Sequence, residues 1–145
     1  MIEKSYVMVK PEFADYPEVI EEVKNQLLIK SDNKLNILKA EYVNYTSNDA
    51  QKHYAEHVGK DFYPSLEKYI TSGVAYGMII EGEDAIARIR AIIGSTKNPA
   101  EGTIRFEIPK MLGLELRVTE NVVHASDSTQ SAEREITIFE DILNR

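Results

Sequence analysis

Residues Val74–Gly94, "VAYGMIIEGEDAIARIRAIIG", contain the clearest change of pattern in the chain. The run "VAYGMII" is apolar, β-branched and aromatic over a length typical of a buried strand, whereas "EDAIARIRAII" spaces its apolar residues at helical intervals. Gly94 then ends the helix, as glycine commonly does. The stretch therefore predicts a third strand over 74–80, followed by a helix over 83–93 that packs on the sheet.

The same succession of a strand and a helix stands at the beginning of the chain. The run "KSYVMV" predicts a buried strand over 4–9 that ends before Pro11. Pro17 then begins an amphipathic helix, "PEVIEEVKNQLLI", because proline suits the first helical position. A long second strand, "LNILKAEYVNY", follows after a polar turn.

Two shorter helices are predicted between the second and third strands. The segment "DAQKHYAEHV" follows Ser47 or Asn48 as its N-cap and stops at Gly59. The segment "PSLEKYI" begins at Pro64. We expect these two helices to form a helical hairpin.

The last third of the chain predicts one more strand and one more helix. "NVVH" reads as a short fourth strand, and the final helix begins near Ser128. The segments 95–103 and 106–119 are expected to be functional loops. This order predicts an α+β, ferredoxin-like sandwich: a four-stranded antiparallel sheet with helices on one face and a helical hairpin inserted after the second strand.

Composition narrows the class of protein. The chain has 145 residues and is expected to form a single domain over 1–145. With no cysteine, it has neither a disulfide framework nor a thiolate zinc site. No apolar run approaches the roughly 20 residues that span a bilayer, so we expect a cytoplasmic protein that does not enter membranes. A net charge of -7 argues against nucleic-acid binding and requires any polyanion site to concentrate its positive charge locally.

His124 is the first candidate for chemistry. It stands at the predicted end of a strand, in "NVVHASDS", where an imidazole is held by the sheet and faces a cleft. A largely neutral imidazole attacks phosphorus or accepts a proton without further activation. The alternative is a half-buried, hydrogen-bonded structural histidine, because one histidine is a weak motif.

Basic and hydroxyl residues near two of the loops suit a phosphate group. Arg90 precedes "GSTKNP", which contains Thr96, and Arg105 ends "EGTIR". Guanidinium groups match phosphate oxygens, although most helical arginines are solvated and pair with nearby carboxylates. Lys10 closes the first strand, where it points into a cleft or is a plain edge-of-sheet lysine.

His53 and His57 have the i, i+4 spacing of a metal-binding pair on one helix face. The glutamate that the zinc protease motif places directly after the first histidine is absent. We therefore predict no protein-bound metal from this pair.

Several stretches, taken in order, resemble the nucleoside diphosphate kinase family across nearly the whole chain. They are "YVMVKP", "HYAEHVGKDFYP", "RAIIGSTKNP", "EGTIR" and "NVVHASDSTQSAERE". The last of them matches the family pattern N-x-x-H-[GA]-S-D-S, which carries the active-site histidine. The resemblance implies a ping-pong exchange in which His124 takes the γ-phosphoryl of a nucleoside triphosphate and passes it to a nucleoside diphosphate.

The resemblance also implies roles for other residues. Arg90, Thr96 and Arg105 would hold the phosphates, with Tyr54 beside them. Lys10 and Asn121 would bind the sugar hydroxyls and the transferring oxygen. Phe62 would stack on the base with Val118 on its other side, and Ser126 and Glu135 would orient His124. Mg²⁺ would arrive on the nucleotide phosphates, without a dedicated protein site. A homo-oligomer, tetrameric or hexameric, is expected.

The chain departs from the family pattern at a few places. Pro17 stands where most members have a glycine-containing turn, Lys97 is an extra residue, and the segment after "GTIR" is longer. Ala125 replaces a glycine, which would strain the backbone if that position needed a positive φ. A catalytically impaired, nucleotide-binding regulatory homologue, or an unrelated ligand sensor, therefore remains an alternative to an active kinase.

Overall fold

The computed structural model of the chain describes residues 1–114 and 121–145. Its elements are β1 (Ile2–Val9), α1 (Pro11–Ala14), α2 (Pro17–Lys30), β2 (Leu35–Val43), α3 (Ser47–His53), α4 (Tyr63–Ile70), β3 (Ala75–Glu83), α5 (Ala85–Ile93), α6 (Ile104–Met111), β4 (Val123–Ala125) and α7 (Thr129–Leu143). In the part of the chain that is described, no helix is both long and apolar enough to cross a membrane.

The four strands form one sheet in the order β2-β3-β1-β4, and every neighbouring pair is antiparallel. The first strand, β1, therefore lies inside the sheet between β3 and β4. This topology, with α3 and α4 between β2 and β3, confirms the predicted ferredoxin-like α+β fold. It also brings the end of β1 beside the beginning of β4, which positions the candidate site.

Helices cover both faces of the sheet, so the prediction of helices on one face was wrong. Val7 and Val9 point into one core with α2, α5 and α6. Tyr6 and Met8 point into a second core with α3, α4 and α7. All four side chains are fully buried. Successive side chains of a strand point to opposite faces of the sheet. Since both the odd and the even positions of β1 are apolar, helices must pack on each face.

Helix α6 lies where the sequence predicted a loop over 106–119. Pro109 lies inside this helix, although proline lacks the backbone N–H that an interior helical position donates. Ile104 and Ile108, four residues apart, are fully buried in the core formed by α2 and α5. Burial of two isoleucine side chains, worth about 1.5–3 kcal/mol each, offsets the loss of one helical hydrogen bond.

The boundaries of α3 also differ from those predicted. Its N-cap is Thr46, not Ser47 or Asn48, and a capping box links the Thr46 hydroxyl to the Asp49 N–H and the Asp49 carboxylate to the Thr46 N–H. The helix ends at His53 instead of continuing to Val58. The predicted pairing of His53 and His57 on one helix face therefore does not exist. A short helix that the sequence did not predict, α1, fills the segment before Pro17.

Candidate active site

A cleft of about 590 Å³ opens beside the ends of β1 and β4, a volume typical of small-molecule sites. It brings together nine of the predicted site residues: Lys10, Tyr54, Phe62, Arg90, Thr96, Arg105, Asn121, His124 and Glu135. Ser126 does not line the cleft, but its hydroxyl donates a hydrogen bond to Glu135, which does. Val118 lies outside the described residues, and its role stays a prediction.

The sheet fixes the backbone of His124. Met8 of β1 pairs with His124 in the antiparallel register, and the Lys10 N–H donates to the Val122 carbonyl at 2.8 Å. Val122 has a φ of 79°, and the Val123 N–H donates to the Asn121 carbonyl two residues back. This is the strained form of a γ-turn, which a β-branched residue rarely adopts. The turn presents Asn121 and His124 to the same cleft.

Glu135 holds the imidazole of His124 in place. Its Oε1 lies 2.8 Å from His124 Nε2 and accepts a second hydrogen bond from Ser126 Oγ at 2.7 Å. Glu135 is 3% exposed and Ser126 is fully buried. Since a buried carboxylate requires hydrogen-bond donors, His124 Nε2 carries the proton and Nδ1 keeps its lone pair. Ala125 belongs to β4 and has no positive φ, so the strain considered from the sequence is absent.

Lys10 and Asn121 form a second polar pair in the cleft. Lys10 Nζ donates to Asn121 Oδ1 at 2.8 Å, although the residues are 111 positions apart. The two residues are 7% and 6% exposed. A buried ammonium with a polar partner gives the cleft a fixed positive charge.

Arg105 is anchored from the first turn of α6. Its guanidinium donates to the Gly94 carbonyl at 2.8 Å and to the Val123 carbonyl at 2.9 Å. Gly94 has a φ of 94°, and a Cβ there would lie 2.5 Å from Thr103 Oγ1, so only glycine fits beside α6. Burial and then the charge of Arg90 lower the pKa of Arg105 to about 10. Arg105 stays charged at neutral pH. Among residues 1–114 and 121–145, its buried Nε has no hydrogen-bond partner, so it is a donor that an anion would satisfy.

Two aromatic residues line different depths of the cleft. The Tyr54 ring is buried, with its centroid 6.3 Å from that of His124. Burial, and then the charge of Glu135, raise the pKa of the Tyr54 hydroxyl, which keeps it a hydrogen-bond donor. Phe62 is 50% exposed at the rim, with the Lys60 ammonium 5.8 Å from its ring centroid.

The cleft also contains charged residues that the sequence argument did not assign to it: Glu56, Lys97, Asp127 and Arg134. Asp127 belongs to the "HASDS" motif, so its sequence position three residues after His124 could have predicted that it lies in the cleft. A hydrogen bond from Ser131, and then the charge of Arg90, lower the pKa of Asp127. Arg134 Nη2 donates to Glu56 Oε1 at 2.8 Å across the rim. Counting Lys10, Arg90 and Arg105, the cleft is locally rich in positive charge although the chain is acidic overall.

The sequence matches the family model described as nucleoside diphosphate kinase over residues 3–141. The chain belongs to the nucleoside diphosphate kinase family. It is 41% identical over 143 residues to the nucleoside diphosphate kinase of Methanobrevibacter smithii, with 96% of this chain and 87% of that protein covered. It is 43% identical over 141 residues to the nucleoside diphosphate kinase of Archaeoglobus fulgidus, with 95% and 86% covered.

Solved structures of nucleoside diphosphate kinases share the fold. The Aquifex aeolicus enzyme superposes with a TM-score of 0.82 at 27% identity, covering 96% of this chain and 95% of that one. The Halobacterium salinarum enzyme, solved in complex with CDP, gives a TM-score of 0.79 at 29% identity, covering 96% and 88%.

Membership of the nucleoside diphosphate kinase family confirms the predicted activity class. The chain is an enzyme, a phosphotransferase with nucleotide substrates, from a family that uses a divalent cation. The comparisons give no support to a catalytically impaired regulatory homologue.

Proposed function

We propose that the chain transfers a phosphoryl group in two steps through His124. In the first step, Nδ1 attacks the γ-phosphorus of a nucleoside triphosphate in line. The N–P bond forms as the bond from phosphorus to the bridging oxygen breaks, and the nucleoside diphosphate leaves with the electron pair. In the second step, a terminal oxygen of another nucleoside diphosphate attacks the phosphorus, and Nδ1 regains its lone pair.

The single observation that carries this proposal is the hydrogen bond between His124 Nε2 and Glu135 Oε1. Because the Nε2–H group donates a hydrogen bond to the carboxylate, the lone pair of the ring lies on Nδ1. As the N–P bond forms, the imidazole becomes positive, and the buried carboxylate stabilises that charge. Ser126, which donates to the same oxygen, holds Glu135 in position.

Arginine side chains would hold the phosphates. Arg90 and Arg105 lie close enough for the charge of one to lower the pKa of the other, a repulsion that a bound polyphosphate relieves. Thr96 and the Tyr54 hydroxyl would add neutral donors to the same oxygens. Positioning and charge stabilisation supply most of the catalysis in phosphoryl transfer.

The remaining predicted residues suit the nucleoside. The Lys10–Asn121 pair would contact the sugar hydroxyls and the transferring oxygen. Phe62 at the rim would stack on the base, which requires only a π-face and accepts every base. Broad base specificity follows from this arrangement.

The donor set of the cleft agrees with Mg²⁺ that is bound to the nucleotide. Mg²⁺ prefers oxygen ligands and keeps several waters. In the described part of the chain, the only cluster of three potential metal ligands contains two histidines, which do not suit this ion. Asp127 and Glu56 would orient its water ligands, and the cation would neutralise charge on the phosphate oxygens.

The test is phosphoryl labelling of the purified protein. Incubation with γ-labelled ATP and Mg²⁺ is expected to give an acid-labile, alkali-stable label that added GDP discharges as GTP. His124→Asn should bind nucleotide and take up no label, whereas the matched control His57→Asn should still be labelled. Label that persists in His124→Asn would rule out His124 as the nucleophile, and nucleotide binding by the wild type without labelling would rule out the transfer itself.

We also propose a homo-oligomer, on the strength of family resemblance, with tetramer and hexamer as the two alternatives. Sedimentation equilibrium distinguishes them by mass, and a monomer at assay concentrations would contradict both. The cytoplasmic location stays a prediction.

A further inference from the structure

His53 is a buried histidine that the transfer mechanism does not use. It is 1% exposed, and neither ring nitrogen has a hydrogen-bond partner in the described part of the chain. A buried polar group without partners is costly, so such a residue calls for a physical explanation. The two ring nitrogens of His53 are therefore available to a ligand, and an imidazole nitrogen is a common ligand of Zn²⁺.

The His53 ring packs against the nucleophile. The ring centroids of His53 and His124 are 4.5 Å apart with an interplanar angle of 63°. One nitrogen from each ring and a carboxylate oxygen of Glu135 lie within 4.8 Å of one another. Of these three side chains, only that of His124 is partly open to the cleft, with 19% exposure.

We propose that His53, His124 and Glu135 form a binding site for a divalent transition-metal ion such as Zn²⁺, and that occupation of this site inhibits phosphoryl transfer. Two imidazoles and one carboxylate are a ligand set that binds zinc in proteins, with water from the cleft as the fourth ligand. Ligands at 2.0–2.1 Å in a tetrahedron lie roughly 3.4 Å apart. No pair of the three groups therefore moves closer by more than about 1.5 Å, and His124 Nε2 and Glu135 Oε1, which are 2.8 Å apart, separate slightly.

Metal binding removes the nucleophile through the tautomer of His124. A metal ion between His124 and Glu135 takes the Nε2 lone pair, so the ring proton moves to Nδ1 and the lone pair that attacks phosphorus is lost. Coordination through Nδ1 blocks attack directly. Either arrangement excludes phosphorylation of the same ring, and a chelator reverses both. The ion acts on the protein and not on the nucleotide, which separates this effect from displacement of Mg²⁺.

The site predicts which of the three histidines responds to the metal. Zn²⁺ added to the full chain without nucleotide should shift the ring NMR resonances of His53 and His124 and leave those of His57 unchanged. Co²⁺ at the same site should give the visible absorption of a tetrahedral complex. These measurements do not require activity, so they remain informative if the proposed transfer mechanism fails.

His53→Phe is the direct test, because phenylalanine keeps an aromatic ring among Tyr6, Tyr45 and His124 and removes both nitrogens. We expect it to bind Zn²⁺ at least about 10-fold more weakly than the wild type, since the loss of even an outer partner of a metal ligand costs 10- to 100-fold. The matched control His57→Phe should bind as the wild type does. If His53→Phe does not fold, Glu135→Gln provides the same comparison, with the same expected loss of affinity.

The activity measurement is the ratio of rates with and without Zn²⁺ at saturating Mg²⁺-nucleotide. The wild type and His57→Phe should be inhibited and recover with EDTA, whereas His53→Phe should keep the larger fraction of its own basal rate. Equal affinity and equal inhibition in the wild type and His53→Phe would overturn the proposal, as would a loss of binding in His57→Phe.

Discussion

His124 and Glu135 lie on β4 and α7, and a hydrogen bond of 2.8 Å joins the imidazole Nε2 to the carboxylate Oε1. The same carboxylate oxygen accepts the Ser126 hydroxyl at 2.7 Å. Because Glu135 is itself buried and Ser126 holds it from behind, Glu135 fixes the tautomer and the orientation of the proposed nucleophile before any nucleotide binds.

Glu135→Gln tests this relationship. Glutamine keeps the shape and loses the charge, so we expect kcat to fall by about 10- to 100-fold while the KM for nucleotide changes little. Steady-state kinetics over a range of pH measures both constants and detects a shifted profile. Ser126→Ala should lower kcat in the same direction by a smaller factor. An unchanged kcat in Glu135→Gln would show that His124 does not depend on this carboxylate.

Arg90→Ala and Arg88→Ala form a matched pair on α5. Arg90 lines the cleft, whereas the Arg88 guanidinium donates to the backbone carbonyl of Glu83 outside it. A charged hydrogen bond is worth about 1.5–3 kcal/mol, so Arg90→Ala should lower kcat/KM by about 10- to 100-fold. Arg88→Ala should stay within about twofold of the wild type, as expected for a surface arginine. Equal losses in the two variants would contradict the assignment of Arg90 to the phosphate site.

Gly77→Ala is expected to destabilise the fold. A Cβ on Gly77 in β3 would lie 2.5 Å from the Tyr6 hydroxyl and 2.6 Å from Phe139 Cε1. Overpacking of this kind costs about 1–3 kcal/mol in the free energy of unfolding, which urea denaturation measures. Gly73→Ala is the control, because its nearest neighbour, Pro11 Cβ, is 3.5 Å away. A loss of stability in Gly73→Ala as large as that in Gly77→Ala would refute the steric explanation.

The pH dependence of stability is expected to reflect His53. Below its ordinary pKa of 6.5, the unfolded chain takes up a proton at His53 that the folded chain does not, because burial and then the charges of His124, Arg134 and Lys10 lower the folded-state pKa. Protons therefore favour unfolding, and stability falls as the pH drops from 6.5 towards that lower value.

A single such group contributes a slope of about 1.4 kcal/mol per pH unit. Urea unfolding between pH 7.5 and 5 should give a shallower loss of stability for His53→Phe than for the wild type. The range ends at pH 5 because the carboxylates titrate mainly below it. Parallel curves for the two proteins would show that His53 is protonated equally in the folded and unfolded states.

The strands and long helices were predictable because their patterns are local. The continuous apolar run of β1 and the helical spacing of apolar residues in α2 are properties of short windows. The errors were equally local in origin. The segment 106–119 was predicted to be a loop, but the packing of Ile104 and Ile108 forms α6 there. The spacing of His53 and His57 suggested a continuous helix, but α3 ends at His53.

The sequence by itself determined the family, the fold class and the set of candidate residues, because the motif around His124 and the order of strands and helices are written in consecutive residues. Only the tertiary structure decided that Glu135 faces Nε2, that helices cover both faces of the sheet, and that His53 lies against His124 and not beside His57. These relationships depend on contacts between distant segments. Such contacts are determined by the packing free energy of the whole fold, which cannot be read from a short window of sequence.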